Sequence, residues 1–174
     1  MEYSQFTGSQ LPFDGEFYLT RKKKFKELIF FVHFYEGSKR QLLRHIKMVN
    51  DFGFDAFAFH LKGDHKEILK HLPISSRGKF GVKHIYADQI EKLLNEIPGQ
   101  KIIFSFSNPT AAAIEAMARR HCSDITALIC DSGPTARFIP SAYNLFSHDY
   151  NVKSTLLKVA LTPLLSIEIG RAHV

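Results

Sequence analysis

With 174 residues, 45% of them hydrophobic and 23% charged, the chain is long enough for one domain with a sizeable core, and its composition excludes a disordered or collagen-like protein. No window reaches the ~18 consecutive apolar residues of a membrane-spanning helix, and the opening MEYSQFTGSQ lacks the basic and apolar blocks of a secretion signal, so the sequence reads as a soluble, cytoplasmic protein. The formal charge of +6 is densest at Arg21, Lys22, Lys23, Lys24 and Lys26, but Leu19, Phe25 and Leu28 interrupt that run, which reads as the solvated end of a strand or a turn and not as a nucleic-acid site.

Short apolar runs alternate with helical patterns along the chain. Glu16 to Arg21 reads as an edge or hairpin strand, and KELIFFVHF (26–34) as a strand buried on both faces. Between Lys39 and Phe52 the residues Leu42, Leu43, Ile46, Val49 and Phe52 recur at helical spacing, and Gly53 ends that helix. DAFAFHL (55–61) gives the next strand, and the stretch from Gly63 to Gly81 reads as a loop around a short helix at 65–71. Tyr86 to Ile97 forms a second amphipathic helix stopped by Pro98 and Gly99. KIIFSF (101–106) is a strand that turns at Ser107, Asn108 and Pro109 into the Ala-rich helix TAAAIEAMARRH, and ITALIC (125–130) is read as a further buried strand. Residues 131–149 are loop-rich, and STLLKVALTPLL (154–165) reads as an interrupted helix. The order β, β, α, β, α, β, α, β implies an α/β protein, a mostly parallel sheet with helices on both faces in three layers. Cys122 and Cys130 form no CxxC pair or disulfide framework and are expected to be buried apolar side chains, while sixteen Phe and no Trp point to a Phe-packed core.

In such sheets the working groups lie beyond the carboxyl ends of the strands. Ser105-Phe106-Ser107-Asn108-Pro109 stands at one of them, after a buried strand and before a helix. It resembles the nucleophile elbow of the α/β-hydrolases, with Ser105 and Pro109 where G-x-S-x-G carries glycines. FVHFYEGSKRQL (31–42) resembles that family's loop after the third strand, DFGFDAFAFHLKGDHK (51–66) its fourth strand and loop, and ITALICDSGP (125–134) its sixth strand and exit. The likeness runs over residues 16–134. It implies Ser107 as nucleophile, the backbone N–H groups of Tyr35 and Asn108 as oxyanion hole, and Asp131 as a candidate acid, with no metal and no organic cofactor. The bland alternatives are a helix cap for Ser107, a turn residue for Asp131 and a buried loop histidine for His33.

A serine nucleophile needs a histidine base, which this fold places after its last strands, and no strand pattern follows Cys130. The final six residues, IGRAHV, equal the translation of ATC GGA AGA GCA CAC GTC, a sequence resembling a common sequencing adapter. The expected organisation is therefore residues 1–134 as the N-terminal part of a hydrolase core, 135–167 as the opening of a lid, and 168–174 as an adapter-derived tail. The implied function is hydrolysis of an ester or thioester through an acyl-enzyme, by a chain that is an incomplete fragment and inactive alone. Its partner would be a small-molecule acyl substrate, with neither nucleic acid nor a membrane span involved. A non-catalytic hydrolase-like binding or scaffold protein is the alternative. A nucleotide-binding module is disfavoured because no G-x-G-x-x-G follows a strand.

Overall fold

The computed structural model describes residues 13–35, 37–62, 75–79, 81–132 and 154. In chain order they form β1 (Glu16–Tyr18), β2 (Leu28–Val32), α1 (Leu43–Phe52, entered through a 3-10 turn at Lys39–Leu42), β3 (Asp55–Ala58), α2 (Val82–Glu96), β4 (Lys101–Phe106), α3 (Pro109–Ala118) and β5 (Ile125–Asp131). The spatial order is β1-β3-β2-β4-β5. β3, β2, β4 and β5 run parallel, and β1 lies antiparallel against β3 with Phe17 opposite Phe57. The expected alternation and the mostly parallel sheet are both present.

The period-2 alternation of the strands decides which residue meets which layer. Phe30, Phe57 and Phe59 face the side covered by α2 and α3, where Ile90, Leu93, Ala112 and Ala113 are fully buried. Ile29, Phe31, Ala56 and Ala58 face Ile46 and Val49 of α1 and Leu42 of the turn that leads into it. β2, with all five residues buried, can be continuously apolar because both its faces are covered and both its edges are paired.

Several local expectations are corrected. On α1 only Ile46 and Val49 are buried, together with Leu42 of the turn before it, whereas Leu43 and Phe52 are 49% and 61% exposed. At 100° per residue those two lie about 90° to either side of the stripe that meets the sheet. α2 begins at Val82, four residues before the predicted start, with Gly81 in front of it. β5 is not a buried strand: it pairs with β4 on one side, no element lies beyond it among the described residues, and Ile129 is 43% exposed. Cys130 is consequently exposed and Cys122 half-buried, both free thiols, contrary to the expectation of buried side chains. The predicted helix at 65–71, the helix at 154–165 apart from Ser154, the lid at 135–167 and the tail at 168–174 lie outside the described residues. No helix among those described is long and apolar enough to cross a membrane.

Candidate active site

β4 ends at Phe106 and α3 begins at Pro109, so Ser107 and Asn108 alone turn the chain. Ser107 does so at φ +55°, a left-handed conformation that brings an L-residue's Cβ against the backbone and costs about 1–2 kcal/mol. Three hydrogen bonds hold it there. The Ser107 N–H donates to the carbonyl of Asp131 at the neighbouring strand end (2.9 Å), Thr110 N–H donates to the Ser107 carbonyl (3.1 Å), and Ala111 N–H to that of Asn108 (3.0 Å). The positions flanking the turn are small or preformed. Ser105 is fully buried in the strand, and Pro109 occupies the first helical position, where its missing N–H leaves nothing unsatisfied. Ala112, Ala113 and Ala116, each fully buried, let α3 lie close on the sheet behind the turn.

Beside this turn is a small, shallow cleft lined by Tyr35, Val82, Lys83, Tyr86, Asn108 and Pro109. It brings together the two residues expected to supply oxyanion donors, Tyr35 from the loop after β2 and Asn108 from the turn after β4. The N-terminal ends of α2 and α3 both border it, and the positive end of each helix dipole lends it a positive potential.

No known family's sequence signature matches the chain, and no curated protein does. Solved structures do. The chain is similar to a mature lipase of Bacillus licheniformis, at 15% identity and a TM-score of 0.54 over 91% of this chain and 62% of that one. A hydrolase of Oleispira antarctica matches at 10% identity and 0.51 over 90% and 64%, and a thermostable carboxyl esterase of Bacillus coagulans, solved with glycerol, at 18% and 0.50 over 88% and 50%. This is an α/β-hydrolase fold. The chain spans between half and two thirds of the length of these structures.

Within the α/β-hydrolase fold the described histidine nearest the strand ends is committed to structure. His33 is 1% exposed; its Nδ1 lies 2.7 Å from the Phe34 carbonyl, and its Nε2 accepts the Leu61 N–H at 2.8 Å. Those partners fix the proton on Nδ1 and tie the loop after β2 to the loop after β3. Burial pushes the imidazole below its ordinary range, against a smaller opposing pull from the Phe34 carbonyl, so the ring is held neutral. The expectation of a buried loop histidine describes it. Asp131 stands at the end of β5, exposed, with its carboxylate accepting the Ser132 hydroxyl at 3.2 Å while its carbonyl holds Ser107.

Sequence reasoning missed the α2 side of the cleft. Val82 and Tyr86 are separated by one helical turn and buried together, and Gly81 before them was the readable signal for an earlier helix start. It also missed the polar brace behind the cleft. Glu115 on α3 sits among Lys83 (3.2 Å), Arg119 (2.6 Å) and His84 (2.8 Å), and Arg119 reaches on to Asp88 of α2 at 2.7 Å. Burial raises the Glu115 carboxyl, but hydrogen bonds from His84, Arg119 and Lys83 outweigh it and hold the group at about 2. The brace fixes α2 against α3 and orients Lys83, whose side chain is only 10% exposed, in the cleft wall. Among the described residues no cluster of three or more His, Cys, Asp or Glu is placed to hold a metal ion.

Proposed function

We propose that the chain is the front part of a serine hydrolase acting on an ester or thioester. Ser107 Oγ attacks the acyl carbonyl, the carbonyl oxygen gains the charge, and collapse of the tetrahedral intermediate expels the alcohol or thiol and leaves an acyl-enzyme that water resolves. The amide N–H groups of Tyr35 and Asn108 receive the oxyanion, which they can stabilise because they are fixed before charge develops. Asp131 is the candidate acid. The histidine that must take the Ser107 proton belongs, on this reading, to the part of the matched structures that this chain does not span. The route uses no metal or organic cofactor, and the substrate is a small acyl compound.

The observation that carries the reading is the left-handed Ser107 at a strand-to-helix turn, beside a cleft lined by Tyr35 and Asn108, the two residues proposed to supply the oxyanion donors. A cap alone does not require that conformation, since a serine N-cap ordinarily has extended dihedrals. The deciding experiment is labelling of the full-length protein with a serine-directed fluorophosphonate. Ser107→Ala is expected to abolish labelling; labelling that survives it removes Ser107 as nucleophile. The 174-residue chain alone is expected to show negligible ester hydrolysis, and robust Ser107-dependent turnover by it would overturn the view that the machinery is incomplete here.

A further inference from the structure

The run of cations between β1 and β2 has no part in the proposed chemistry, yet it is a built surface. Thr20 anchors its start, with its N–H donating to Asp55 Oδ1 (2.9 Å) and its hydroxyl to the Asn50 carbonyl (2.7 Å). Lys24 N–H donates to the Gly53 carbonyl (2.9 Å), and the Phe25 ring stacks on Phe54 at 4.0 Å between centroids and 8° between planes. Gly53 makes this approach feasible: a Cβ there would lie 2.8 Å from Lys24 Cγ. The loop and the last turn of α1 therefore form one face, on which Leu19 (58%), Phe25 (42%) and Phe52 (61%) are exposed. Arg21, Lys22, Lys24 and Lys26 are exposed beside them.

Among the described residues no acid pairs with Arg21, Lys22, Lys24 or Lys26. Lys23 pairs with Asp55 and Lys47 with Asp51, so the nearby acids are taken, and half-buried Glu27 is the only acid in the segment from Leu19 to Leu28. We infer that this face docks on an anionic lipid bilayer, the four cations meeting headgroups while Leu19, Phe25 and Phe52 enter the interface. Apolar tips set among basic side chains are what such anchoring requires. A nucleic acid fits less well, because Leu19 has no π face and Phe25 has one of its two faces covered by Phe54. The face precedes Leu28 at the start of β2, whereas Ser107 follows the end of the parallel strand β4, so docking would leave the cleft at the far end of the sheet.

Vesicle flotation with the 174-residue chain tests this, since self-associated protein stays at the bottom of the gradient. At about 0.1 M salt the chain is expected to float with phosphatidylcholine vesicles containing about 30% phosphatidylserine, not with phosphatidylcholine alone, and to be released as salt rises. Each exposed lysine removed should lower partitioning about fivefold, so Lys22→Gln with Lys24→Gln should lower it about 25-fold. Leu19→Ser with Phe52→Ser should weaken binding while preserving its salt dependence. These side chains are exposed, and an unchanged circular dichroism spectrum would establish that the variants fold. Equal flotation with neutral vesicles, or a double lysine variant that floats like the parent, overturns the proposal. So does binding of an oligonucleotide through the same lysines with no flotation.

Discussion

Replacing Ser107 by glycine is expected to leave the protein more stable than replacing it by alanine, the reverse of the order at an ordinary position. Both variants lose the hydroxyl, so its contacts cancel and only the backbone differs. Glycine normally costs about 0.5–1 kcal/mol against alanine because it loses more freedom on folding. At φ +55° alanine instead carries the left-handed penalty of about 1–2 kcal/mol, from which glycine is free. At the middle of each range the net preference for glycine is about 0.75 kcal/mol, corresponding to roughly 1.5–3 °C in melting temperature for a chain of this size. Urea unfolding of the two variants at one protein concentration measures it. If Ser107→Ala is as stable as Ser107→Gly or more so, the turn is not strained in the way the conformation implies, and the argument for a nucleophile elbow loses its physical basis.

Glu115→Gln removes the carboxylate shared by Lys83, His84 and Arg119 and is expected to cost about 2 kcal/mol, below the roughly 3–5 kcal/mol of breaking a fully buried pair because solvent still reaches the cluster. Since the Glu115 carboxyl is depressed from 4.5 to about 2, its contribution is present above pH 4.5 and is lost as pH falls toward 2; the stability difference between parent and variant, followed by denaturation across that window, should shrink accordingly. The His33 imidazole, pushed down by burial from 6.5, titrates in the same sense, so stability should decline as pH falls below 6.5, and His33→Phe should remove that slope. The same substitution orphans the Leu61 N–H at a cost of about 1–3 kcal/mol, while the Phe34 carbonyl keeps Gly37 N–H at 2.9 Å. The 174-residue chain is expected to be poorly soluble because β5 presents an apolar edge, and Ile129→Lys should raise the soluble fraction after centrifugation.

The fold was legible where one physical rule acted alone. β4 reads correctly to the residue, because KIIFSF is bounded by Gly99 and by the Ser-Asn-Pro turn. The continuous apolar run of β2 announces a strand covered on both faces, and the order of elements follows from such runs. β5 misled because ITALIC has the same composition as a buried strand; hydrophobicity reports what a strand could bury, not which neighbours cover it. α1 misled at its flanks for a related reason: periodicity marks a half-cylinder, while contact with a sheet buries only its centre line. At the candidate site, the strand-to-helix turn at Ser107 was legible from KIIFSF, the Ser-Asn-Pro break and the Ala-rich stretch that follows. The pairing of Tyr35 with Asn108 across a cleft came only from the family resemblance, and Lys83 with its Glu115 brace was not legible, because charged residues on one helix give no sign that another helix will cover them.

The central place of β2 in the sheet bears on how the molecule assembles during synthesis. Its pairing with β3, Leu28 beside Asp55, closes a loop holding only α1, and can form as soon as that βαβ unit leaves the ribosome. Its pairing with β4, Leu28 beside Lys101, closes a loop nearly three times as long, which adds about 0.9 kcal/mol of closure entropy. The Ser107 turn depends on that later event and then on β5, whose Asp131 carbonyl holds it. The site is therefore the last region of the described sheet to mature on folding, and the first to be lost when the sheet opens from its β5 side.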